Sequence, residues 1–352
     1  MSPESQPAGA PRALRPEDFR GRPVLVTGGA GFIGSHLVDA LVALGARVRV
    51  LDNLANGRRE NLSASAKSIE FLEEDLRDAE ACRRACAGVS WVFHQAALGS
   101  VPRSMKDPAT SFAVNVSGTA NVFTAARDAG ATRVVYASSS SVYGDSARLP
   151  KREGEEGRPV SPYALSKKMN EQLAEIFASC FGMETVGLRY FNVYGPRQDP
   201  DGPYAAVIPL FFRAALREEP ALIHGDGTQT RDFTFVGDAV AANLLAATAP
   251  AEACGRAYNV AAGHRTSLLD LSRAIREIAG GAPPPRHGPP RPGDVPHSLA
   301  DLSDIGRLLG YRPGVVLEEG LRRSLSHYRS LVTGEGGAER VVQGSGARKE
   351  TS

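Results

Sequence analysis

The stretch Val24-Leu-Val-Thr-Gly-Gly-Ala-Gly-Phe-Ile-Gly-Ser-His-Leu-Val-Asp-Ala-Leu-Val-Ala-Leu-Gly-Ala-Arg-Val-Arg-Val-Leu-Asp52 decides the reading of this chain. Val24–Val26 is a short, β-branched apolar run that stops at a glycine cluster, the pattern of a strand buried on both faces. Ile33, Leu37, Leu41 and Leu44 then recur at helical spacing until Gly45. A second apolar run, Val48–Leu51, ends at Asp52. The spacing predicts a strand–helix–strand unit with Gly28, Gly31 and Gly34 at its first turn. Glycines there let the backbone bend and approach a ligand, and the helix start at Phe32 and Ile33 offers amides and a positive dipole end to a pyrophosphate. Asp52, followed by Asn53, stands where a carboxylate can accept the hydroxyls of an adenosine ribose. A glycine-rich turn alone can serve packing, but strand, glycines, helix, strand and acid in this order point to a dinucleotide site. The acid would repel a 2′-phosphate, which favours NAD over NADP, although Arg58 and Arg59 lie close by.

Working outward, the chain predicts a doubly wound parallel α/β sheet with a smaller C-terminal lobe for substrate. Residues 71–75 read as a third strand ending at Asp75, with a helix through about Ala87. Trp91–His94 is a fourth strand, and the small-residue turn after it, from Gln95 to Ser104, should line the cleft. Residues 107–129 read as one long helix holding Asn115. Val134–Ala137 is a fifth strand running into Ser138–Ser141. Pro162 opens a helix that carries Tyr163 and Lys167, and Thr185–Leu188 is a sixth strand. The expected division is a loose arm over 1–20, a dinucleotide-binding domain over 21–194 with returns near 233–262, a substrate lobe from 195–232 and 263–330, and a disordered tail over 331–352. The proline-rich stretch 283–294 reads as a rigid loop.

The bulk numbers exclude several classes. With 352 residues, 42% hydrophobic, 23% charged and a net charge of +2, the chain has no basic excess to suggest nucleic acid. Its four cysteines form no disulfide framework; Cys82 and Cys86 share a helix face without a histidine or second pair to complete a metal set. No apolar run approaches membrane-spanning length, so a soluble, cytoplasmic protein without a metal is the expectation.

Chemistry concentrates at Tyr163 and Lys167, four apart on one helix face and preceded by a serine run. A free tyrosine ionises near pH 10, about three units too high to serve as a base at neutrality. A nearby ammonium and an oxidised nicotinamide would stabilise the phenolate, and a serine hydroxyl would align the substrate oxygen. Such Tyr–Lys pairs are common as mere surface pairs; the dinucleotide unit and the serine-rich strand end turn the reading toward catalysis.

The motifs TGGAGFIGSHL, HQAALGSVPRS, NVSGTANVF, SSSSVYGD, SPYALSK, RYFNVYGPRQDP, GDGTQTRDF and RPGDVPHS together resemble the extended short-chain dehydrogenase/reductase superfamily over about residues 22–330. Within it the chain resembles the nucleotide-sugar 4-epimerases, and most the branch acting on UDP-N-acetylglucosamine. The resemblance implies Tyr163 as base, Lys167 as its partner and ribose anchor, and Ser139 as the hydroxyl-binding serine, with Ser140 and Ser141 as neighbours that leave the choice open. It adds Asp75, Leu76, Ala96, Asn115 and Tyr190 to the NAD shell. It implies oxidation at sugar C4, rotation of the 4-keto sugar, and reduction from the other face. Neither the Thr-Asp-Glu triplet of the 4,6-dehydratases nor the glutamate of the sugar-acid decarboxylases is present; Ser141 stands at the latter position.

For the substrate, the resemblance points to Ser100, Ser139, Ser140, Asn192, Ala206, Val207, Leu222, His224, Arg231, Arg291, Asp294 and Ser298. His224 stands where the closest relatives often carry asparagine. Ser298 matches the position where a tyrosine closes the pocket to an N-acetyl group, so UDP-N-acetylglucosamine is the expected sugar nucleotide. UDP-glucose and UDP-glucuronate stay open, as do a 4-ketosugar reductase and a non-catalytic nucleotide sensor. The helices at 107–129 and 163–181 build a dimer interface in many relatives, so a homodimer is expected.

Overall fold

The computed structural model describes residues 14–201, 205–290 and 295–334. In chain order the first half runs β1 (Pro23–Thr27), α1 (Phe32–Ala43), β2 (Arg47–Leu51), β3 (Ile69–Leu72), α2 (Ala79–Cys86), β4 (Trp91–His94), α3 (Val101–Lys106), α4 (Pro108–Phe112), a π turn (Ala113–Ser117), α5 (Gly118–Asp128), β5 (Arg133–Ser139), α6 (Pro162–Phe181) and β6 (Glu184–Tyr190). The second half adds β7 (Val193–Tyr194), α7 (Val207–Leu216), β8 (Leu222–His224), β9 (Thr230–Arg231), β10 (Thr234–Phe235), α8 (Val236–Thr248), β11 (Arg256–Val260), β12 (Thr266–Ser267), α9 (Leu268–Ala279), β13 (Arg286–Gly288), α10 (Ser303–Leu309) and α11 (Leu317–Thr333).

Among the described residues a seven-stranded sheet has the order β11-β6-β5-β4-β1-β2-β3, with every pair parallel. This is the doubly wound arrangement that the first βαβ unit predicts. Alternate strand residues face opposite layers. Val24 and Val26 join a core with Leu37 and Leu41 of α1 and Leu244 of α8. Leu25 joins Val122, Phe123 and Phe177 from α5 and α6 on the other side. The smaller lobe has its own core, where Ile208, Phe211 and Phe212 of α7 meet Leu271, Ile275 and Leu321. There Phe212 stacks on Tyr328 at 4.8 Å between ring centroids.

Several expectations are corrected. The third strand stops at Leu72 because its ladder with β2 runs only from Val48↔Ile69 to Leu51↔Leu72; Asp75 lies in the loop beyond. The helix over 107–129 is interrupted by the π turn, which holds Asn115. The proline-rich loop contains β13, which pairs parallel with β8. The two clustered thiols need no correction: Cys82 and Cys86 are free and buried, each pushed up to about 12, chiefly by burial.

Arg133 ties β5 to the helix layer. Its Nη1 donates to the carbonyls of Ala246, Ala247 and Ala249 at 3.0, 3.0 and 2.7 Å, closing the C-terminal end of α8, while Nη2 meets Glu184 at 2.6 Å. Arg133→Leu strands those buried carbonyls and should lower unfolding free energy by about 3 kcal/mol. Urea denaturation should show a lower midpoint at unchanged slope.

Candidate active site

The loops after β1 and β4 meet where the strand order reverses. Gly28 has φ +68°, and a Cβ there would lie 2.6 Å from Ala96 N. A Cβ on Gly34 would lie 2.1 Å from Gly28 O, so only hydrogen lets α1 start this close to the turn. Gly31 caps α1 with no side-chain bond, which leaves the first-turn amides of Phe32, Ile33 and Gly34 without intrahelical acceptors. These atoms edge a cleft of about 870 Å³ whose lining includes Asp52, Asn53, Asp75, Leu76, Ala96, Tyr163, Lys167 and Tyr190. A cradle that a single methyl would fill, facing unshared amides, fits a dinucleotide pyrophosphate.

At the cleft's acid end Asp52 closes β2. Its Oδ2 accepts from Ala30 N at 2.9 Å and its Oδ1 from Leu54 N at 2.8 Å. Burial raises its pKa while those two amides pull it back. Asn53 Nδ2 donates to Asp75 at 2.8 Å. Asp75 is held down to about 2, first by its bond from Arg77. The nearby arginines are met by carboxylates: Arg58 by Asp199 at 2.6 Å and Arg59 by Glu73. Two carboxylates at this end, with Arg58 and Arg59 already facing carboxylates of their own, suit NAD, and Gly28, Gly31, Gly34 and Asp52 are positioned to hold it.

The catalytic candidates converge at the start of α6. Ser161 caps this helix by accepting from Ala164 N at 3.1 Å, and Pro162 takes the first helical position. Ser104 Oγ accepts from Tyr163 N at 3.0 Å. Burial raises the Tyr163 phenol, and a hydrogen bond with Ser139 opposes that rise. Ser139 Oγ accepts from Ser141 N at 3.2 Å and from Ser141 Oγ at 2.9 Å. Ser139 is therefore the serine against the phenol, Ser141 its buttress, and Ser140 opens the 3₁₀ turn that follows β5. Lys167 Nζ donates to Ala137 O at 2.8 Å, and an ammonium has two further donors to offer. Burial brings Lys167 down to about 8, with the Glu171 carboxylate opposing. Asn115 holds the loop opposite, accepting from Leu98 N at 2.8 Å and donating to Ser166 Oγ at 3.2 Å. Tyr190 is fixed by Gln95 at 3.0 Å and Asn243 at 2.7 Å.

On the substrate side, Ser100 lines the cleft and caps α3 by accepting from Arg103 N at 3.2 Å. The other candidates lie beyond its described lining. Asn192, at φ +32°, donates to Asp232 O at 3.2 Å. Ala206 and Val207 form the N-terminus of α7, which has no side-chain cap. Arg231 and Ser298 come together: Ser298 N donates to Thr230 O at 3.1 Å, and Arg231 Nη1 donates to the same oxygen at 2.9 Å. Leu222 is exposed on β8, and His224 Nδ1 lies 3.0 Å from Pro289 O. Arg291 and Asp294 lie outside the described residues. Among the described residues no group of three His, Cys, Asp or Glu side chains could hold a metal, and no helix is long and apolar enough to cross a membrane.

Sequence reading missed the polar groups beneath the site. Asp232, fully buried, accepts from Ala262, Gly263 and Ala300 amides at 3.0–3.2 Å and so joins three segments beside Arg231. Glu171 and Arg189 form a buried pair. A lone arginine inside the apolar run of β6 was the available signal, because a buried guanidinium needs a partner. For the cofactor cradle, Gly34→Ala should leave the far-UV circular dichroism unchanged and strip bound nicotinamide nucleotide from the purified protein, read by its absorbance after acid release.

The NAD dependent epimerase/dehydratase family model matches residues 24–261. The chain is 40% identical over 310 residues to a UDP-glucose 4-epimerase of Mycolicibacterium smegmatis, covering 87% of this chain and 98% of that protein. It superposes with TM-score 0.85 and 38% identity on a UDP-N-acetylglucosamine 4-epimerase of Methanobrevibacter ruminantium in complex with UDP-N-acetylmuramic acid, covering 89% of this chain and 99% of the other. A UDP-glucose 4-epimerase of Thermotoga maritima, with UDP-glucose, gives TM-score 0.83 at 38% identity, covering 88% and 99%. Fold, cleft and matches agree: the chain belongs to the NAD dependent epimerase/dehydratase family and, within it, to the UDP-sugar 4-epimerases, isomerases that work with NAD.

Proposed function

We propose that the protein interconverts UDP-N-acetylglucosamine and UDP-N-acetylgalactosamine by inverting the sugar's C4. The observation that carries this reading is the small Ser298, bonded through its amide to the strand of Arg231. The likeness to the Methanobrevibacter enzyme supports it. A serine there leaves space for an N-acetyl group that a tyrosine would occupy.

In this reading Tyr163 takes the proton of the sugar 4-hydroxyl as a phenolate and returns it at the end. Ser139, whose own oxygen lone pairs are taken up by Ser141, donates to the reacting oxygen and keeps it in line. Lys167 stays an ammonium beside the phenol and uses its remaining donors on the nicotinamide ribose. Bound NAD supplies the acceptor, and then the donor, of the hydride at C4. Arg231, Asn192 and the free amides at the start of α7 hold the diphosphate, and Leu222 and His224 border the nucleoside. Ser100 and Ser140 complete the sugar's polar surroundings. Exposed apolar residues support a homodimer: Leu165, Ile176 and Phe181 of α6 are exposed, as is Met105 of α3. Burying them against a second copy removes exposed apolar side chains from water.

Purified protein without added cofactor should convert UDP-N-acetylglucosamine to its galacto epimer, seen by the anomeric protons in NMR, with no net NADH. Turnover of UDP-glucose alone would reassign the sugar. Ser298→Tyr should cut N-acetylhexosamine turnover at least about tenfold relative to UDP-glucose, since even one methylene of mismatch costs about 1–3 kcal/mol; an unchanged ratio refutes the gating role. Light scattering behind size exclusion should give twice the chain mass, and Ile176→Glu should halve it.

A further inference from the structure

One turn beyond Lys167 on α6 sits Glu171, only 2% exposed. Its Oε1 accepts from Ser138 Oγ at 2.6 Å and from Arg189 Nε at 2.8 Å, and its Oε2 accepts from Arg189 Nη2 at 2.9 Å. Arg189, 4% exposed on β6, also meets Glu156 and donates to Tyr143 OH at 3.1 Å. Such a pair contributes little net stability, because two desolvated ions roughly offset their attraction. Its placement is what distinguishes it. Ser138 directly precedes Ser139, Tyr143 ends the same turn, and Tyr163, Lys167 and Glu171 follow one another at four-residue intervals along one helix face.

We propose that Glu171 is a positioning residue of the reaction: its carboxylate, clamped by Arg189, fixes the serine turn under Tyr163 through its bond from Ser138 and, one helical turn from Lys167, favours that lysine's cationic form. The proposal rests on the roles given above to Tyr163 and Lys167. The groups that face Lys167 leave Glu171 as the balancing anion. From its own helix come Tyr163 and Glu171, with the neighbouring Lys168 cation shared between Glu156 at 3.4 Å and Glu171 at 3.6 Å. From β5 comes the Ala137 carbonyl, while Ser138 and the phenol of Tyr136, which burial keeps protonated, stand beside Glu171. From β4 comes His94, pushed down to about 3 by burial and by Lys167 itself, hence neutral. From β6 comes the neutral Tyr190, which shares the cleft lining with Lys167, while Arg189 reaches the cluster through its bonds to Glu171. Asn115 and Thr119 carry no charge. Burial alone drives Lys167 toward the neutral amine, and the Glu171 carboxylate is the group that opposes it.

The sign follows. Removing the anion lowers the lysine's pKa, so the ammonium is lost at a lower pH and the basic limb of the activity profile moves toward neutrality. Glu171→Gln keeps the shape and loses the charge. It should move the basic limb of kcat down by about one pH unit, a tenfold loss on that limb. The ε-carbon resonance of Lys167 in lysine-labelled protein should titrate lower by the same amount. Glu171→Asp, which keeps the charge, should restore the limb. If Glu171→Gln fails to fold, Arg189→Gln tests the same field from the other side: Glu171 keeps Lys168 at 3.6 Å, and loss of the cation beside it should move the limb and the resonance upward. A variant that melts earlier yet keeps the wild-type limb and resonance overturns the proposal, as does Glu171→Asp shifting as far as Glu171→Gln. Tyr163→Phe separates the two readings: activity surviving it refutes the base assignment, while the Lys167 resonance still decides the role of Glu171.

Discussion

The structure depends on one close approach, between the glycine turn that follows β1 and the loop that follows β4. Gly28 and Ala96 come so near that a Cβ would collide with backbone, and Gly34 lies against Gly28 in the same way. In a doubly wound sheet the chain leaves β1 and β4 toward opposite layers, and a crevice opens between their ends. Here the crevice is kept narrow at its base by backbone contacts and open above, where the amides of α1 stand free. A cofactor seated there meets peptide groups, which cannot rotate away as side chains can. Preorganisation of this kind reduces the ordering cost of binding.

The same two strand ends are joined from below by a buried polar chain. Thr119 Oγ donates to the Asn115 carbonyl at 2.6 Å, so it accepts from His94 Nε2 at 2.9 Å. That leaves His94 Nδ1 to accept from Thr27 Oγ at 2.7 Å. Thr27 ends β1, His94 ends β4, and Asn115 lies in the π turn whose side chain holds the Leu98 loop. One neutral imidazole thus couples the floor of the cofactor cleft to the loop opposite Tyr163. Every donor in the chain has an acceptor, which is what a low-dielectric interior requires. The π turn has a physical role in this: its extra residue per turn brings the Asn115 side chain to Leu98 while its carbonyl stays available to Thr119.

What could be read in the sequence was what neighbours along the chain decide. The glycine turn, Asp52 and the start of α6 at Pro162 depend on residues within a few positions, and all stand where the spacing put them. Asp75 was misplaced because β3 is an edge strand: its length is set by β2, which ends at Leu51, and nothing in residues 71–75 reports that. β13 was hidden because prolines flank it, yet Arg286–Gly288 lies between them and pairs on one side only, where missing donors do not matter. The serine run was ambiguous for a related reason. Four like residues differ only in what faces them, and Glu171, Tyr163 and Ser141 are brought there by α6 and the turn.

That separation of the serines shows how the site is made rigid. A strand sends successive side chains to opposite faces, so Ser138 and Ser139 must part at the end of β5. One goes down to a buried carboxylate and the other up to the phenol. The helix α6 presents phenol, ammonium and carboxylate in register with them, because a four-residue spacing stacks side chains on one face. Strand alternation and helix periodicity therefore meet at one pair of residues, and neither Ser138 nor Ser139 can shift without breaking a bond on the opposite side. A surface Tyr–Lys pair has no such second layer. The buried ions of Glu171 and Arg189, which a well-packed apolar pair could replace at little cost in stability, are justified by what they do for the charge and the geometry directly above them.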